Sequence, residues 1–271
     1  MIGALALCRF LHFGAGILLW GRAAYGASAP RPNRWLWGLL ALTGVAWLLL
    51  ETVEATATWS AALDPATIWL LLSATNVGQA WALHLAFIAA LGVALWRRAG
   101  ITTAAALALV SAALVGHAAS EDGWPGLLHR SNDALHLLSG GYWLGALPSV
   151  LAGLRRLPDR EELGRLMRFS RWGHLAVAGV ILTGVINTLL ILDDVPWMPT
   201  SPYSLMLGLK IGLVAIMVGL AVRNRYVHVP QLSNGGGAAA LRDLRRGTMS
   251  EIACSFGVLL LVSVFGVLNP V

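Results

Sequence analysis

The 271-residue chain is 57% hydrophobic and only 12% charged, with a mean hydropathy of +0.71, whereas a soluble domain carries about 25% charged residues. That composition excludes an ordinary soluble enzyme and points to an all-α integral membrane protein, read as one polytopic domain over residues 1–271. The formal charge of +6 does not signal nucleic acid: the arginines fall in short loops between apolar runs, so the expected partner surface is lipid.

Windows of about 20 apolar residues predict eight transmembrane helices. In chain order they are Ile2 to Ala24, Trp35 to Thr58, Val77 to Trp96, Ile101 to Ala119, Leu128 to Leu151, Trp172 to Leu192, Tyr203 to Val222 and Ser250 to Leu268. The start has no basic n-region and no small-residue cleavage site, so it reads as the first span. Asp133, His136 and Pro148 interrupt the fifth. Gly235 to Ala240 reads as a flexible piece of the last long loop, with the charged stretch after it forming a surface helix. Cys8 and Cys254 lie in apolar runs at opposite ends of the chain and are expected to pack as small apolar residues.

Sixteen of the 19 basic residues fall in the loops after spans one, three, five and seven. The alternate loops hold Asp64, Glu121, Asp122, Asp193 and Asp194 with Arg130. The positive-inside rule therefore puts both termini on the outer side, the periplasm of a bacterial inner membrane.

A charged side chain at the centre of a span costs at least about 2.5 kcal/mol, so ionisable residues there face the bundle interior or water. His12 on span one, Glu51 and Glu54 on span two, His84 on span three, His117 on span four, and His129, Asp133 and His136 on or beside span five all fall in the outer half. His12, His84 and His136 share a depth of roughly 10–15 Å, which permits convergence on one site. Cys8 and His12, Glu51 and Glu54, and His129, Asp133 and His136 are spaced three or four apart, which puts each set on one helix face. Imidazole and carboxylate are metal donors, and Met198 and Met206 would add soft ones near the entrance. Arg9 and Lys210 are expected to pair with Glu51, Glu54 or Asp133. The inner half holds few polar residues, Ser111, Thr183, Ser263 and His174. The same histidines allow a different reading, b-type haem between His84 and His136 or between His12 and His117.

Leu114 to Ala119 reads LVGHAA, followed by HRSNDALHLL from His129 and YWLGAL from Tyr142. This resembles the CopD family of bacterial copper-resistance and copper-homeostasis membrane proteins, which includes the PcoD proteins. The likeness in motif spans about Leu114 to Pro148. It implies eight spans, a copper ion as cargo, movement of copper from periplasm to cytoplasm, and His117, His129, Asp133 and His136 as the family-type positions. It also implies a periplasmic CopC-type partner, here expected as a separate protein. A copper-delivery scaffold is the remaining alternative.

Overall fold

A computed structural model describes residues 1–26, 30–115, 123–192, 201–235 and 237–266. The described residues hold eleven α-helices: α1 (Ile2–Tyr25), α2 (Pro30–Thr56), α3 (Trp59–Leu63), α4 (Pro65–Ala74), α5 (Asn76–Arg97), α6 (Ile101–Val110), α7 (Gly123–Gly153), α8 (Arg160–Leu192), α9 (Pro202–Arg223), α10 (Val229–Ser233) and α11 (Gly237–Phe265). A 3₁₀ turn, Ser111–Leu114, prolongs α6, and a π turn, Asn224–His228, joins α9 to α10.

Six helical stretches are long and apolar enough to cross a membrane: Ile2–Tyr25, Asn33–Thr56, Asn76–Arg97, Arg160–Leu190, Pro202–Ser233 and Gly237–Val264. They fall on six of the eight expected spans. Leu42, Leu182, Leu189 and Leu209 on these helices are exposed, as lipid contact requires and water would penalise. The chain is a multi-pass membrane protein. The two remaining expected spans differ for identifiable reasons. The fourth is the shorter apolar helix Ile101–Leu114, with its expected end outside the described residues. The fifth, α7, has 31 residues, about 46 Å of helix, but His129, Arg130, Asp133 and His136 lower its hydropathy.

Side chains fix several helix starts. Thr58, Thr75 and Ser201 accept hydrogen bonds from the first-turn amides of α3, α5 and α9. Asp64 caps α4 by accepting from the Ala66 and Thr67 amides and the Thr67 hydroxyl, which holds its carboxyl below the usual range. The segment read as flexible is corrected from Gly237 onward. Gly237–Ala240 opens α11, where three alanines favour helix, and the charged stretch continues unbroken into the span.

Helix α1 is central, packing against α2, α6, α7 and α11. On one side α1, α2, α5 and α6 share a core that includes Leu19, Leu40, Ile88, Leu91 and Ala105. On the other, α7, α8, α9 and α11 close around Trp143, Ala176, Val180, Met217 and Val258. Helices α1 and α7 meet at a glycine seam, where Gly145 lies against the Ile17 carbonyl and Gly21 against the Gly145 backbone. Such close backbone approach is how small residues hold membrane helices together.

Candidate functional site

Spacing by four puts Cys8 and His12 on one face of α1, and that face packs on α2 and reaches α5 through His12 and His84. Cys8 is buried and its Sγ donates to the Thr43 carbonyl oxygen, 3.2 Å away. His12 and His84 are 1% and 0% exposed, and their Nε2 atoms face each other at 3.0 Å. Each ring is held from behind by a hydroxyl. His12 Nδ1 lies 3.1 Å from Thr43 Oγ1, and His84 Nδ1 lies 2.8 Å from Ser111 Oγ. Both hydroxyls are also placed to donate to helix carbonyls, Thr43 to Leu39 at 2.7 Å and Ser111 to Ala108 at 3.0 Å.

These contacts constrain the protons. When both hydroxyls donate to carbonyls, each imidazole must donate from Nδ1, and two Nε2 lone pairs confront each other. Relief comes from a cation between the rings, or from one hydroxyl turning to give its proton to its ring so that one Nε2–H donates to the other Nε2. In every arrangement the nitrogens that meet are the ones imidazole uses to bind a metal, with second hydrogen bonds fixing ring orientation. The Cys8 thiol, one turn away, is turned onto the Thr43 carbonyl, so the donors that meet are the two imidazole nitrogens alone.

Trp47 and Trp81, both 0% exposed, join this pair to a carboxylate. Their indole N–H groups donate to Glu51 Oε1 and Oε2, each at 2.8 Å, while their rings pack edge-on against His12 and His84. The Arg9 guanidinium lies 5.0 Å over the Trp47 ring and interacts electrostatically with Glu51, in line with the expected pairing. Glu54 is exposed, a turn along α2. Glu51→Gln puts an NH₂ against one indole N–H and leaves that donor unsatisfied. The expected cost is about 1–3 kcal/mol, read as a lower unfolding midpoint in detergent; no change would mean the indoles do not depend on the carboxylate.

His136 belongs to a second cluster. Its Nδ1 is 2.8 Å from Thr183 Oγ1 on α8, and Gly184 packs against its Cε1. Asn132 donates to the Thr183 carbonyl at 2.9 Å and to Asn187 Oδ1 at 2.6 Å, and Asn187 donates to Asp133 Oδ1 at 2.6 Å. Lys210 of α9 interacts electrostatically with Asp133 and with His136. His129 is buried and partnered. His117 and Met198 lie outside the described residues.

Of the three histidines whose shared depth permits convergence, His12 and His84 therefore meet, while His136 is held by other partners. Among the described residues no group of three or more His, Cys, Asp and Glu side chains is arranged to hold a metal ion. The haem reading gains nothing from the geometry, because His84 and His136 are hydrogen-bonded in different clusters.

Sequence reasoning missed a third cluster. Glu251 of α11 is 3% exposed; Trp143 Nε1 donates to its Oε2 at 3.0 Å and Asn224 Nδ2 to its Oε1 at 2.6 Å. A Cβ on Gly247 would collide with the Asn224 amide, so glycine one turn before Glu251 is what admits Asn224. The available signal was a carboxylate next to Ser250, at the edge of an expected span.

Comparison with known proteins adds what geometry leaves open. The family described as copper resistance protein D matches residues 163–265, and its N-terminal domain, described as copper resistance protein D-like, matches residues 1–127. The Copper resistance protein D of Pseudomonas syringae pv. tomato is 30% identical over 299 residues, covering 97% of this chain and 95% of that one. The chain belongs to the copper resistance protein D family. Inner membrane protein YebZ of Escherichia coli is 33% identical over 288 residues, 97% of each chain, and Copper transport protein CutJ of Bacillus subtilis is 26% identical over 269 residues, 92% of this chain and 48% of that one. No solved structure matches this copper resistance protein D family member. Residues 128–162, with His129, Asp133 and His136, lie between the two matched segments.

Proposed function

We propose that this protein is a copper transport protein of the bacterial inner membrane, a single eight-span domain with both termini in the periplasm. Copper enters from the periplasm, with a separate CopC-type protein as donor, passes Glu51 and binds between His12 and His84 on its way to the cytoplasm. The observation that carries this reading is the His12–His84 pair, with two Nε2 atoms at 3.0 Å and each Nδ1 tethered to a hydroxyl. Bound there, Cu(I) takes the place of the Nε2 proton, which is carried instead on Nδ1 as the hydroxyl turns back to its helix carbonyl, and the rings part to admit the ion. Thr43 and Ser111 hold the outer nitrogens, so only the metal-binding edges move. Trp47 and Trp81 keep water away, and Glu51 offers a carboxylate beside the indole layer. The relatives named for copper resistance and copper transport support the choice of cargo.

The test is copper content after loading purified protein with Cu(I) under reducing conditions, followed by uptake into vesicles. Wild type is expected to retain stoichiometric copper, and His12→Asn and His84→Asn, which keep a polar side chain of similar reach, to lose most of it. Wild-type copper retention in the double variant would overturn the site. Retention without uptake would overturn transport in favour of a delivery scaffold.

A further inference from the structure

A cavity of about 260 Å³ lies between α7, α8, α9 and α11, separate from the histidine pair. Val177, Ile181, Val218 and Leu244 give it apolar walls, and Glu251, His174, Arg225 and Tyr226 line it as well. It is large enough for several water molecules. The π turn at Asn224–His228 borders it, and π turns inside helices recur at functional sites.

Glu251 is placed unlike the other carboxylates. Glu162 receives Arg165, and Asp133 has Lys210. Glu251 receives one neutral N–H on each oxygen and no ion pair from any described lysine or arginine. An unpaired carboxylate enclosed among membrane helices is costly, and the smallest way to neutralise it is to bind a proton. Each carboxyl oxygen keeps a second lone pair beyond its single donor, so the proton has a place to sit.

We propose that Glu251 is a proton-binding site, taking up a proton from water in this cavity as a neutral carboxyl and returning it to that water as a carboxylate. The step is proton transfer alone: an O–H bond forms on Glu251 as one breaks on hydronium, with no change of oxidation state. The groups that face it are few. Helix α7 brings Trp143, and the π turn brings Asn224, with Arg225, Tyr226 and His228 beyond it. His174 of α8 is engaged by Tyr226 Oη at 3.1 Å, and α10 carries no titratable residue. On α11 the nearest charged residues are Arg245 and Arg246, and Arg9 of α1 reaches the far end of α11 at Gly266. Neither His12 nor His84 takes part.

Dicyclohexylcarbodiimide tests this directly, because it reacts with protonated carboxyls in apolar surroundings. The full-length protein in mild detergent is labelled across a pH series without copper, and the adduct on the α11 peptide is measured by mass spectrometry. Labelling at Glu251 is expected to fall about tenfold per pH unit once the carboxyl ionises, and to be unchanged in His84→Asn. In parallel, infrared spectra of wild type are expected to show a protonated-carboxyl band that fades over the same pH range and is missing in Glu251→Gln. Labelling at Glu251 that does not vary with pH, or a titrating band that survives in Glu251→Gln, overturns the proposal. Should Glu251→Gln fail to fold, the wild-type labelling series decides alone, and lack of any adduct at Glu251 at every pH overturns it.

Discussion

Lys210→Met is expected to destabilise the protein by about 3 kcal/mol, the lower end for breaking a buried pair, because it removes the Lys210 cation that interacts with Asp133, a carboxylate half-buried among packed helices. Asp133 would keep the hydrogen bond from Asn187, which does not neutralise its charge. The double variant Asp133→Asn, Lys210→Met removes both charges at similar volume and is expected to recover most of the loss, since neutral replacement of a buried pair is often harmless. Unfolding of the three proteins in detergent at neutral pH measures the coupling. If the single and double variants are equally unstable, the two side chains do not act as a pair. Copper retention adds a second readout, because His136, which also interacts with Lys210, lies apart from the His12–His84 pair. The double variant is expected to bind copper as wild type does.

Much of the helix framework was legible in the sequence because the cost of burying backbone in lipid forces long apolar runs, and six of the eight expected runs coincide with long apolar helices. His12 and His84 were legible for the same reason, as polar groups too costly to tolerate idly in a span. Their partners were not. Thr43 and Ser111 are hydroxyls that can satisfy themselves on carbonyls of their own helices, so their presence in a span carries no signal until the rotation of α2 and the turn after α6 are known. Helix rotation also explains why shared depth does not bring His136 to the His12–His84 pair. Equal depth along three helices says nothing about azimuth, and α7 turns His136 toward Thr183 of α8. Glu251 was hidden by a boundary: with Ser250 taken as the start of a span, its neighbour reads as an interfacial residue, whereas α11 begins at Gly237 and carries Glu251 into the bundle.

Gly145→Ala and Gly140→Ala are expected to change stability in opposite directions, although both replace a glycine on α7. At Gly140 a new Cβ meets only the Val180 side chain at 3.8 Å, an ordinary contact, so the variant should gain from the higher helix propensity of alanine, up to about 1 kcal/mol. At Gly145 the same methyl overlaps the Ile17 carbonyl and crowds Gly21, and these are backbone atoms that no rotamer change can move. Helices α1 and α7 must separate, at a cost toward the upper end of the roughly 1–3 kcal/mol typical of overpacking. The displacement would reach function as well. His12 stands on α1 little more than a turn before Ile17, and its Nε2 must meet that of His84 on α5. Gly145→Ala is therefore expected to lower both the unfolding midpoint and copper retention, while Gly140→Ala lowers neither. Equal behaviour of the two variants would mean that the α1–α7 seam does not set the position of the histidine pair.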